Sequence, residues 1–199
     1  MKTISPTLAA ASLCALLAAG SAAAAPTSYY ATLTGAAEDT PNASPGMGGT
    51  VVTFDLTAHL LNIDVSFISL AGLSTAAHIH CCTASPMSGL AGVATETPSF
   101  GSFPTGVTGG MYSMMYDTSL ASSWSPAFIA ANGGTTAGAE AAFSAGLNAG
   151  TAYLNIHSDA YPAGEIRGFL ITAVPEPGQW GMLLLGLPAV LALARRRRG

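Results

Sequence analysis

Leu61-Asn62-Ile63-Asp64-Val65-Ser66-Phe67-Ile68-Ser69-Leu70 decides the fold class, because it alternates apolar and polar residues along its first half. Successive side chains on a strand point to opposite faces. Leu61, Ile63, Val65 and Phe67 therefore share one buried face, and Asn62, Asp64 and Ser66 face away. Thr50–Leu56 (TVVTFDL) alternates in the same way just upstream. Thr57-Ala58-His59 joins the two runs as a hairpin, with His59 as a solvated turn residue.

The rest of the middle reads in the same terms. Strand-like runs cover Tyr29–Gly35, Ala76–His80, Gly110–Asp117, Thr151–His157 and Glu165–Thr172, separated by Gly, Pro and Ser turns. Glu140–Asn148 is Ala-rich, reads as a short helix, and is ended by Gly150. Residues 83–109 form a long irregular stretch of the kind that often carries function. The expectation is an all-β antiparallel sandwich or barrel with one short helix, built from a single domain over residues 25–173. Tyr161-Pro162-Ala163-Gly164 supplies the turn between the last two strands, placing Leu154, Ile156, Ile166, Phe169 and Leu170 in the core.

Charge narrows the partners. Only 8% of the 199 residues are charged, against roughly a quarter in a typical soluble domain. Between Pro26 and Ala173 a single base, Arg167, stands among nine carboxylates. Phosphate recognition needs clustered cations, so nucleic acid is excluded as a partner. The lone arginine is expected to be structural, paired with Glu165 two residues before it or with another acid.

Both ends read as addresses. Lys2, the apolar run Leu8–Ala19 and the small residues Ser21–Ala25 form a secretory signal over residues 1–24, for removal by signal peptidase. At the other end, Val174-Pro175-Glu176-Pro177 precedes fifteen uncharged residues, Trp180–Ala194, and then Arg195, Arg196, Arg197 and Arg198. A helix of that length spans about 22 Å, short of a hydrocarbon core of about 30 Å. The arginines predict a cytoplasmic end, leaving the domain outside. Pro175, Glu176 and Pro177, the apolar segment and the arginine cluster, in this order over residues 174–199, resemble the PEP-CTERM sorting signal. That resemblance implies an exosortase as processing partner, in a Gram-negative bacterium that makes exopolysaccharide. The apolar segment 180–194 then anchors the chain in the inner membrane only until cleavage.

His78-Ile79-His80 and Tyr153-Leu154-Asn155-Ile156-His157 hold the candidate chemistry. Strand spacing points His78 and His80 to one face, and sets His157 with Tyr153 and Asn155 opposite Leu154 and Ile156. If the two strands are neighbours, three imidazoles converge, a ligand set suited to zinc or copper. Cys81 and Cys82 are the only cysteines left after signal removal. In an oxidising compartment they are open to a vicinal disulfide, to pairing with other chains, or to metal. If the strand continues, Cys82 lies on the histidine side and is a fourth candidate ligand, while Cys81 lies with Ile79. Neither G-x-S-x-G nor HExxH occurs in the chain, so these catalytic signatures are missing.

LSTAAHIH over residues 73–80, followed by YLNIHSDAYPAGEIRGFL over residues 153–170, resembles the CHRD domain across residues 29–172. Many relatives have Gly after HIH, where this chain has Cys81 and Cys82. The resemblance implies an immunoglobulin-like β-barrel outside the cytoplasm and supplies no bacterial activity. The HxH pattern is also similar to that of copper-zinc superoxide dismutases, whose further ligands have no assigned positions here. Two functions compete. One is a non-enzymatic binding or spacer module of the cell surface or exopolysaccharide matrix, with exopolysaccharide or surface proteins as partners. The other is an envelope metalloprotein, with copper or zinc as cofactor and redox activity if copper, built on His78, His80 and His157.

Overall fold

The computed structural model describes residues 25–172. The secretory signal and the sorting tail, with Pro175, Glu176, Pro177 and the four arginines, lie outside the described residues.

Eight strands form one curled antiparallel sheet: β1 (Thr27–Thr34), β2 (Met47–Asp55), β3 (Leu60–Ile68), β4 (Ser74–His80), β5 (Gly110–Asp117), β6 (Tyr153–Ser158), β7 (Ile166–Phe169) and β8 (Ile171–Thr172). The spatial order is β4-β6-β7-β1-β2-β3-β5, with β8 paired to β1 beside β7. The all-β expectation holds. The β2–β3 hairpin pairs in unbroken register from Met47↔Ile68 to Asp55↔Leu60. Its turn places His59 at φ 57. Leu61, Ile63, Val65 and Phe67 are all buried, as strict alternation requires.

The Ala-rich stretch forms α2 (Thr136–Ala149), and a short helix, α1 (Pro126–Ala131), precedes it with Pro at its first position. The Thr135 hydroxyl accepts from Gly138 N–H at the start of α2, and Gly150 ends it at φ 66. The apolar side of α2 closes one end of the core. Phe143 packs edge-on to Phe54 at 5.7 Å and to Trp124 at 5.3 Å between ring centres.

The sheet has two edges, and they are treated differently. The outer edge of β4 is covered by the irregular stretch after residue 91. Cys81 N–H donates to Gly92 O, Ala94 N–H to Ile79 O, Phe100 N–H to Ala77 O, and Ser74 N–H to Val107 O. This satisfies backbone groups that would otherwise be exposed or buried unpaired.

The last hairpin is as expected. β6 pairs antiparallel with β7, Gly164 N–H donates to Tyr161 O across the turn, and Leu154, Ile156, Ile166, Phe169 and Leu170 are buried. Gly164 sits at φ 135, and a Cβ there would collide with the Asn155 side chain, so the turn needs glycine.

Two details correct the sequence reading. Glu165 does not pair with Arg167. It lies before β7, and its carboxylate accepts from Ser44 Oγ and from the Ala71 and Gly72 amides. Burial alone would raise its pKa, but these hydrogen bonds, with one from Ser158, hold it below the usual range. Arg167 is buried elsewhere. Its Nε donates to Ala37 O at 2.6 Å and its Nη1 to Gly89 O at 3.1 Å. Its carboxylate neighbours are Glu38 at 3.8 Å and Asp39 at 3.9 Å. Secondly, His59 is not merely solvated: its Nδ1 lies 2.9 Å from the Glu140 carboxylate.

Candidate metal centre

β4 and β6 are direct neighbours, with His80 opposite Tyr153, His78 opposite Asn155 and Ala76 opposite His157. This pairing joins residues 73 to 84 apart in the chain and puts both histidine-bearing faces on the same side of the sheet. The other side holds Ala77, Ile79, Leu154 and Ile156, each fully buried in the core.

One nitrogen of each imidazole is engaged by a backbone carbonyl. His78 Nε2 meets Pro98 O at 2.6 Å, His80 Nδ1 meets Ala91 O at 2.9 Å, and His157 Nδ1 meets Pro162 O at 2.9 Å. A carbonyl only accepts, so each engaged nitrogen carries the proton. The other nitrogens are then bare lone pairs: His78 Nδ1, His80 Nε2 and His157 Nε2. All three are buried without a hydrogen-bond partner. The rings converge: one nitrogen from each lies within 4.8 Å of one from each of the others.

Leaving one buried acceptor unsatisfied costs about 1–3 kcal/mol. Glu38 Oε1 and Asn155 Oδ1 are buried without a partner as well, so what sets the three imidazoles apart is that they lie together. Holding the second ring nitrogen on a carbonyl is also how metal-bound histidines are oriented.

Burial also keeps the rings neutral. It lowers the pKa of His80 to about 4, with smaller contributions from His78, His157 and Arg167, and against the Ala91 hydrogen bond. Burial likewise pushes His78 and His157 below the ordinary value. A neutral imidazole is the form that can bind a metal, so these rings would not have to lose a proton to do so at neutral pH.

Around the three rings, Tyr153 stacks on His80, nearly parallel at 4.8 Å between centres. The Arg167 guanidinium lies 4.8 Å from the same Tyr153 ring. The phenol donates to Ala91 O and accepts from Ala91 N–H. Tyr153 thus braces His80 and the carbonyl that orients it. The sequence grouped Tyr153 on this face but gave it no role. The carbonyls of Ala91, Pro98 and Pro162 carried no signal in the sequence.

Cys82 does not join the ligands. β4 ends at His80, and Cys81 and Cys82 form a disulfide with each other. A disulfide has no thiolate to offer a metal. Both sulfurs press on Gly146 in α2, where any Cβ would collide with them. The pair braces the end of β4 on the helix.

Elsewhere an open trough of about 1380 Å³ runs over the outer face of β1, β2 and β3, with Tyr30, Val51, Met111 and Arg167 among its lining. Glu38 also borders it. Burial, partly offset by Arg167, lifts that carboxyl to about 7. None of the three clustered histidines reaches the trough.

These features define a mostly β domain in which three neutral histidines, one buried and two half-buried, meet on one side of the sheet. Residues 29–170 match the CHRD domain, and the chain belongs to that family. Residues 173–198 match the PEP-CTERM protein-sorting motif, which marks an exported protein, transiently anchored in the membrane and processed by an exosortase. No curated protein and no solved structure matches the chain.

Proposed function

We propose that the exported protein is a module of the Gram-negative cell surface or exopolysaccharide matrix that binds one zinc or copper ion through His78, His80 and His157. The observation that carries this reading is the convergence of three imidazoles, with one nitrogen from each within 4.8 Å of the others and each ring holding a buried, unpartnered nitrogen. Nitrogen–zinc bonds are about 2.0–2.1 Å long, so an ion drawing the rings together would satisfy all three lone pairs at once. Three protein ligands leave a further position for water or a small ligand, as in open zinc sites. Zinc would make the module redox-silent, and copper would add electron-transfer chemistry.

The test is calorimetric titration of metal-free protein, purified after export, with Zn(II) and with Cu(II). One equivalent of at least one ion should bind to the wild type. His80→Ala and His157→Ala should each bind at least about a hundredfold more weakly, since losing a ligand removes more than a supporting contact does. A wild type that binds neither ion, or variants that retain full affinity, would overturn the reading. Export itself is checked by intact mass. The mature protein should lack about 24 N-terminal residues and the Arg195–Arg198 cluster.

A further inference from the structure

The two edges of the sheet are unequal, and the free one has the properties of a joining surface. Along β4 the crossing loop satisfies the outer backbone groups. Along β5 the residues from Met111 to Tyr116 have no backbone partner among the described residues except β3. Eight residues long, β5 pairs with β3 in unbroken register from Gly110↔Phe67 to Asp117↔Leu60. It carries none of the usual edge guards: no proline, lysine or bulge, and no charge before Asp117. Its outer face exposes Met111 by 85% and Met115 by 60%.

We propose that β5 is where two copies of this protein join, edge to edge and antiparallel, extending one sheet across a two-fold axis. The sequence of the strand is compatible with itself in that register. A two-fold at Ser113 sets Met111 of one copy against Met115 of the other, twice. Tyr112 meets Met114 on the inner side, where both are at least partly buried already. Asp117 falls opposite Gly109, so no like charges meet. A closed two-fold contact uses each free edge once and leaves no unpaired edge for further growth. The domain's excess of carboxylates disfavours other approaches between copies, whereas this strand is uncharged where the copies meet.

Sedimentation of the mature exported protein over a wide concentration series tests the proposal. The wild type should show a monomer–dimer equilibrium. Met111→Glu combined with Met115→Glu should be monomeric, because the two-fold sets the new carboxylates against each other. Met111→Lys combined with Met115→Lys should also be monomeric alone. Mixing the acidic and basic variants should restore a dimer containing one of each. Both positions are exposed, so both variants should keep the wild-type circular dichroism spectrum and melting temperature. A wild type that stays monomeric at every concentration would refute the proposal. So would variants that dimerise as the wild type does, or a mixture that fails to form the heterodimer while both chains remain folded.

Discussion

His59 and the clustered histidines are held in opposite ways. His59, half exposed on a turn, shares its Nδ1 with both oxygens of the buried Glu140 carboxylate at 2.9 and 3.0 Å. Thr118 Oγ1 donates to the same carboxylate. That contact serves a buried acid and needs nothing further. In the cluster, each ring uses one nitrogen on a main-chain carbonyl and leaves the other bare in the interior. Either acceptor, carboxylate or carbonyl, fixes the N–H on the nitrogen it meets, so the difference lies in the other nitrogen. His59 is a half-exposed ring on a turn, whereas the second nitrogen of each clustered ring is buried without a partner.

The largest expected effect that sharpens this contrast concerns metal. Removing His157 should abolish tight binding, and removing His59 should leave it unchanged, in the same titration. Next in size is the support behind His80. Arg167 is buried against Tyr153, two carbonyls and two acids. Arg167→Ala should destabilise the fold by about 3–5 kcal/mol, the range for breaking a buried charge pair. Chemical denaturation checks this, and a loss below about 1 kcal/mol would mean that the charge is solvated in solution.

The third expectation concerns pH in the metal-free protein. His80 titrates at about 4 in the fold, against 6.5 ordinarily. Between those values the folded chain binds fewer protons than the unfolded one. This contribution is therefore fully present above pH 6.5 and is lost as the pH falls towards 4. Glu38 runs the other way: its carboxyl is lifted from 4.5 to about 7, so its contribution is full below 4.5 and lost as the pH rises through 7. Each trend is worth at most about 3 kcal/mol, and they partly cancel where they overlap. Glu38→Gln removes the second trend. Denaturation of that variant should then show stability falling steadily on acidification from neutral pH, and a flat profile would contradict the burial of His80.

The smallest effect is at His59. His59→Asn keeps a residue tolerant of φ 57 and should cost less than about 1 kcal/mol, read in the same denaturation experiment.

How much of this was legible depends on sequence distance. The faces of β3 follow from alternation alone, because a strand with one buried side shows its period locally. The shared face of His78 and His80 follows from the same rule. The meeting with His157 does not, since it depends on β4 pairing with β6 across the chain. The anchoring carbonyls were hidden because any residue type can present one. Arg167 was expected to meet Glu165 or another acid; it meets Glu38 and Asp39, and Glu165 drops out for a particular reason. Strand parity was extended one residue too far, to Glu165, although the chain bends there after Gly164 at φ 135. The same over-extension put Cys82 beside the histidines, when β4 stops at His80.

X-ray absorption at the metal edge, on protein loaded with one equivalent of zinc, tests the central claim most directly. Three histidine nitrogens at about 2.0–2.1 Å and no sulfur scatterer are expected, with the imidazole signal lost in His157→Ala. A first shell without imidazole, or one containing sulfur near 2.3 Å, would contradict the account.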